Sequence, residues 1–121
     1  MKPTLGAHMS IAGGLHLAVE RAHEVKCECV QIFTKNSNQW QAKPISSEQA
    51  KEFQQALSQF QVRHPLVHSS YLINLATPEK QLWKKSIDAF IIELLRADQL
   101  GIPFVVLNPG SFTTSSESVG I

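Results

Sequence analysis

Charge of one sign is what this 121-residue sequence lacks: 11 Lys and Arg stand against 10 Asp and Glu, a net charge of +1. That excludes a strongly basic nucleic-acid arm, so any such contact has to come from a local patch. Cysteine is scarce as well. Cys27 and Cys29 are the only two, one residue apart, too few for a zinc ribbon and too close for an ordinary structural disulfide. Free thiols in a reducing compartment are expected. Long apolar runs are missing too: the longest, such as FII near 90 and FVVL near 104, are far too short to span a bilayer. The start, MKPTLGAHMS, has no apolar core of a signal peptide. A soluble, cytoplasmic protein with no membrane partner is expected. No G-x-G-x-x-G or P-loop string follows the first apolar run, so phosphate cradling of that kind is not expected.

Hydrophobic residues make up 43% and charged residues 17%, which excludes both disorder and a coiled coil. The length fits one domain, which buries about two-thirds of its unfolded surface. Short β-type runs alternate with helical stripes. Strands are expected near residues 4–8, 29–34, 65–69 and 103–108. Helices are expected near 14–26, 47–61 and 78–100. Leu15, Ala18, Val19, Ala22 and Val25 share one helical face, and Ala50, Phe53, Leu57 and Phe60 another. Ser46 with Gln49 three residues on has capping-box spacing. Thr77-Pro78 reads as the cap and first position of the third helix. Its apolar stripe is Trp83, Ile87, Phe90, Ile91, Leu94 and Ala97, and Gly101 stops it. The tail ends in Val119-Gly120-Ile121, which reads as a helix beginning.

The alternation argues an α/β fold with a parallel sheet. It is either a flavodoxin-like open sheet or about the first four βα units of a (β/α)8 TIM barrel. The strand ends favour the barrel. His8, Lys35 with Asn36, His68 and Asn108 follow the four runs, and parallel strands deliver such ends to one rim. A whole barrel takes about 250 residues, so the chain reads as a partial barrel, 1–121.

At these strand ends the sequence resembles endonuclease IV, the zinc-dependent apurinic/apyrimidinic endonuclease family. The likeness runs through GAHMSIAGGL (6–15), FTKNSNQW (33–40), HSSYLINLA (68–76) and NPGSF (108–112). It implies a (β/α)8 barrel with three zinc ions at its rim. It also implies DNA as partner, with cleavage of the phosphodiester on the 5′ side of an abasic site. By the same resemblance His68 matches a zinc ligand and Tyr71 a residue lying against the DNA. Lys35, Asn36, Asn38, Gln39 and Trp40 match a recognition loop entering the minor groove. His8, Ser10 and Ser111 match residues of the rim. Two departures stand out. Asn38 replaces the arginine of the family's KNQRQW pattern. Asn108 and Phe112 replace the histidines of HPGSH, and an amide is a poor zinc ligand beside imidazole.

The residues themselves leave alternatives open. On spacing alone His68 reads as a hydrogen-bonded structural histidine rather than a ligand, and the resemblance brings the two readings level. His16, Glu20 and His23 share a helix face that reads as solvated. Trp40 either meets nucleic acid beside its cation or folds back on the second helix. Pro109-Gly110-Ser111 either presents N–H groups to a phosphate or simply turns. Lys80, Lys84 and Lys85 read as a solvated face. Both aspartates, Asp88 and Asp98, fall on the third helix, and no carboxylate ends an expected strand. Multi-metal hydrolysis needs such carboxylates, so an incomplete, inactive fragment is expected. Three functions compete: an endonuclease IV-type repair enzyme, a non-catalytic half-barrel, and a sugar isomerase or epimerase of related fold. The uncovered strand edges of a half-barrel also predict self-association.

Overall fold

The computed structural model describes residues 3–108 and 110. Ser111, Phe112 and the expected helix start in the tail lie outside them. The element order is β1 (Gly6–His8), α1 (Leu15–Glu24), β2 (Cys29–Ile32), α2 (Ser47–Phe60), β3 (His64–His68), α3 (Lys80–Gln99) and β4 (Val105–Val106). All strands are parallel, and their order across the sheet is β1-β2-β3-β4. That sequential order decides between the two architectures. A flavodoxin-like sheet places its second strand outside its first, whereas a barrel adds strands in chain order. Strands β1 and β4 are shorter than the apolar runs that contain them.

Strand alternation gives the sheet two faces. Val30 and Ile32 of β2 and Val67 of β3 are buried under the helices, while Cys29, Gln31, Leu66 and His68 on the opposite face are only half-buried. The covered face packs on Leu15, Ala18, Val19 and Ala22 of α1 and on Phe53 and Ala56 of α2. Gly6 sits so close to Cys29 that a Cβ there would collide with its Sγ, so only glycine fits. Both cysteines are free. Among the described residues no helix is long and apolar enough to cross a membrane.

Helix α2 starts as its spacing predicts. Ser46 Oγ accepts from the Gln49 N–H at 3.0 Å, and Gln49 Oε1 accepts from the Ser46 N–H at 2.9 Å. Helix α3 starts differently. Its N-cap is Glu79, without a side-chain cap, and Thr77 Oγ1 instead accepts from the Glu79 N–H at 3.2 Å, a turn before the helix. At its other end Gly101 takes φ 72°, the left-handed geometry that closes a helix.

The expected stripe of α3 is corrected. Trp83, Ile91 and Leu94 are exposed, as are Ile92 and Leu95, and the buried face is Ser86, Glu93, Arg96 and Ala97. Polar residues turn inward because two segments supply their partners: 34–45 for Arg96, and the turn after β3 for Ser86, whose Oγ accepts from the Asn74 N–H at 2.9 Å, and for Glu93. The face holding His16 and His23 is open to solvent, with His23 exposed and His16 and Glu20 half-buried, and it also borders α2: His16 Nδ1 lies 3.3 Å from Glu52, and the His23 ring packs on Phe60 at 4.9 Å.

Ser46→Ala removes one half of the capping box. It lowers unfolding free energy by about 1 kcal/mol, read as a shift of the urea midpoint with unchanged slope. An unmoved midpoint contradicts the role of the cap.

Candidate functional site

Because the strands run parallel, their C-terminal ends meet on one edge of the uncovered face. His8 closes β1, Phe33 follows β2 and His68 closes β3. Their rings form one aromatic cluster. Phe33 stands edge-on to His8 at 4.6 Å, to His68 at 5.6 Å and to Tyr71 at 5.2 Å. Phe33 thus joins the rim residues without having been marked by any charge or metal-ligand signal. Strand parity was the signal: Cys29, Gln31 and Phe33 alternate onto one face.

Hydrogen bonds set the two imidazoles differently. His68 Nδ1 lies 2.8 Å from the Ser69 carbonyl oxygen. A carbonyl only accepts, so Nδ1 carries the proton and Nε2 is the free lone pair of the neutral ring. That is the tautomer a metal ligand needs. For His8 the reverse holds. The Gln31 side-chain amide donates to Nδ1 at 3.1 Å, which leaves the proton on Nε2. Partial burial holds the His8 pKa below its ordinary 6.5, and the neighbouring His68 lowers it further. Ser10 is exposed, its hydroxyl accepting from the Ala12 N–H at 3.1 Å. Arg21 of α1 braces this first rim loop through the Ser10 and Ala12 carbonyls at 2.7 and 2.8 Å. Asn108 is exposed two residues past Val106, which pairs with His68. Among the described residues no three His, Cys, Asp or Glu side chains are grouped to hold a metal. The described residues therefore fit one zinc ligand, His68, and not a cluster.

The 35–40 loop is built around Lys35, which is turned inward rather than presented. It is only 9% exposed, and its ammonium donates to the Asn36 carbonyl at 3.1 Å and to the Gln39 carbonyl. A buried ammonium gathers carbonyl oxygens that an apolar side chain would leave unpaired. The Asn36 side chain accepts from the Asn38 N–H at 2.9 Å, closing an Asx turn. Asn36, Asn38 and Gln39 are exposed, and Trp40 is half-buried. Trp40 does not fold onto α2. The Lys85 ammonium of α3 stands 4.5 Å from its ring centroid, a cation–π contact. Lys85 is thus the cation beside the aromatic, the place the loop's own residues give to Lys35. Tyr71 is 65% exposed.

A buried carboxylate lies beneath this loop. Glu93 of α3 is 2% exposed and accepts a hydrogen bond from the Ser70 backbone N–H. Burial raises its pKa, while Lys35, Arg96 and that hydrogen bond pull it back down. The sequence alone placed Glu93 on a helix and gave no sign that α3 turns it toward the rim.

Two histidines this close make a testable pair. With its pKa depressed, His8 binds fewer protons folded than unfolded between that value and 6.5. Its contribution to stability is complete above 6.5 and falls as pH drops through that window. An imidazole NMR titration of His8 gives a midpoint below 6.5. His68→Asn moves it upward without restoring it, because burial is the larger cause. An unchanged midpoint contradicts the coupling.

With this geometry in hand, three comparisons bear on the chain. The family described as xylose isomerase-like TIM barrel matches residues 19–120. A probable endonuclease 4 of Trichlorobacter lovleyi is 46% identical over 121 residues, all of this chain and 43% of the relative. One of Chloroflexus aurantiacus is 46% identical over 119 residues, 98% of this chain and 42% of the relative. The crystal structure of endonuclease IV from Thermus thermophilus superposes with a TM-score of 0.84 at 34% identity. It covers 90% of this chain and 41% of that one. The chain thus spans about two-fifths of the length of the relatives it matches.

Proposed function

The chain belongs to the xylose isomerase-like TIM-barrel family, and from that premise we propose that it serves the chemistry of an endonuclease IV-type DNA-repair nuclease. In this reading the reaction is zinc-dependent hydrolysis of the phosphodiester on the 5′ side of an abasic site. The observation that carries the reading is the His68 rim: an imidazole with Nε2 free, ringed by Phe33 and Tyr71, beside a loop that ends in Trp40. His68 is a metal ligand in this reading, and Tyr71 lies against DNA. Asn36, Asn38, Gln39 and Trp40 enter the minor groove, with Lys85 supplying a cation next to the ring. His8, Ser10 and Ser111 line the site. Lys35 supports the loop from inside.

The described residues contribute one of the ligands that three zinc ions require, and Asn108 is a weak substitute for a second. No hydrolytic step is therefore assigned to these 121 residues alone. They bind DNA without cutting it, in the cytoplasm. A sugar isomerase or epimerase reading has less support, since the relatives named above are endonucleases. Self-association accompanies the reading. Leu94, Leu95 and Ile91 on α3, with Phe104 and Val106 at β4, leave apolar surface open along the sheet edge.

Incision of a labelled duplex with one abasic site, in zinc and with a chelator control, tests the chemistry. No cleavage is expected from the folded chain, and chelator-sensitive cleavage on the 5′ side overturns the inactive reading. Fluorescence anisotropy on the same duplex tests binding. Trp40→Ala weakens it by about tenfold, the scale of one stacked base, and a chain that does not bind overturns the nucleic-acid reading. Light scattering gives twice the 13.4 kDa chain mass, and Leu94→Glu returns it to one. A monomer at all concentrations rules out self-association.

A further inference from the structure

Helix α3 holds the whole segment between β2 and α2 by its backbone carbonyls. Arg96 donates to Thr34 Oγ1 at 3.0 Å, to the Thr34 carbonyl, and to the Lys43 carbonyl at 2.8 Å. Gln99 donates to the Ile45 carbonyl. Lys85 lies on the Trp40 ring. These contacts reach residues 34, 40, 43 and 45, so the loop is fastened at both ends and at its aromatic tip. Its middle is held by Ser70, whose hydroxyl donates to the Ser37 carbonyl at 2.7 Å. Ser70 in turn gives its backbone N–H to Glu93.

Glu93 is the hub of this arrangement. It is a buried carboxylate, costly to keep unless its charge is answered. Two buried cations, Lys35 inside the loop and Arg96 one turn along the helix, pull its pKa down against the effect of burial. Its second oxygen, Oε2, has no partner among the described residues. Glu93 borders a cavity of about 200 Å³ that Lys35, Trp40 and Ser70 also line. An apolar residue of similar size would fill this space but would leave two buried cations facing each other.

We propose that Glu93 is a positioning residue for the 35–40 loop, fixing Ser70 and Lys35 so that Trp40 is held in one orientation before nucleic acid arrives. The inference rests on the nucleic-acid reading of the loop and extends it to a helix residue outside the contact surface. A loop ordered in advance loses less entropy on binding.

The test uses the Trp83→Phe background, which leaves Trp40 as the single tryptophan. Glu93→Gln keeps the shape and removes the charge. Trp40 becomes more accessible to acrylamide, its emission shifts red, and affinity for an abasic-site duplex falls by about tenfold. The sign is diagnostic. Through bulk electrostatics alone, losing a carboxylate strengthens binding to a polyanion, so unchanged or tighter binding with unmoved quenching overturns the proposal. Ser70→Ala cuts the Ser37 link without changing charge and moves both readouts in the same direction. Should Glu93→Gln lose its far-UV circular dichroism, Ser70→Ala decides: unmoved Trp40 quenching there overturns the proposal. If the parent binds no DNA, the nucleic-acid reading falls while the quenching comparison still decides the role of Glu93.

Discussion

The Arg96 guanidinium, buried between α3 and the segment that follows β2, is the contact on which the rest depends. It bonds residues 34 and 43 at once, so the loop between them spans a fixed gap. Without it, the Thr34 and Lys43 carbonyls would lose their charged donor, a cost larger than the net gain from an ordinary hydrogen bond. Arg96 also explains why α3 turns polar residues inward. Once a guanidinium is buried, a countercharge within reach is favoured, and Glu93 lies three residues back on the same face. Lys35 then completes a cluster of two cations and one anion in which nearly every charged group also touches backbone. The aromatic loop and the helix rotation are consequences of one ionic arrangement.

The rim follows from a separate constraint, strand direction. Parallel strands in sequential order place every strand end on one edge, and alternation selects which side chains reach the open face. Those two rules suffice to bring His8, Phe33 and His68 together across three strands. The chemistry of the pair is then set by local acceptors and donors. The Ser69 carbonyl frees Nε2 of His68, and the Gln31 amide leaves the proton of His8 on Nε2. The two histidines that flank Phe33 are therefore not equivalent: one presents a free lone pair at Nε2 and the other an N–H donor. Partial burial, and secondarily the neighbouring His68, lower the His8 pKa and so favour its neutral form.

How much of this was readable in the residues depends on the range of the interaction. Elements governed by local rules were legible: the Ser46–Gln49 capping box, the Gly101 stop and the alternation of strands and helices all rest on contacts within four residues. The convergence of His8 and His68 was legible because parallel topology has few solutions. The rotation of α3 was not. Its apolar residues form a regular stripe, and periodicity assigns such a stripe to the core. What overrides the periodicity is a set of bonds across more than fifty residues, from Arg96 to Thr34 and from Gln99 to Ile45. The inward turn of Lys35 was hidden for the same reason, since its countercharge comes from a distant helix. Lys85 on Trp40 is likewise a contact between elements that no spacing along the chain encodes.

The exposed stripe of α3 and the buried charges beneath it make one physical argument. A helix in a barrel wall has to satisfy a strand on its inside and a neighbouring helix on each flank. In this chain one flank of α3 is met by the 34–45 segment and the turn after β3, and that flank carries Arg96, Glu93 and Ser86. The other flank carries Ile91, Leu94 and Leu95, all exposed. The apolar face is open among the described residues, whereas the polar face is covered by the segments it bonds. The consequence is a division of labour within one helix. Its polar side bonds the segment that carries Trp40. Its apolar side takes no part in those bonds, so surface chemistry at Leu94 and loop chemistry at Glu93 are separable although they stand next to each other in the chain.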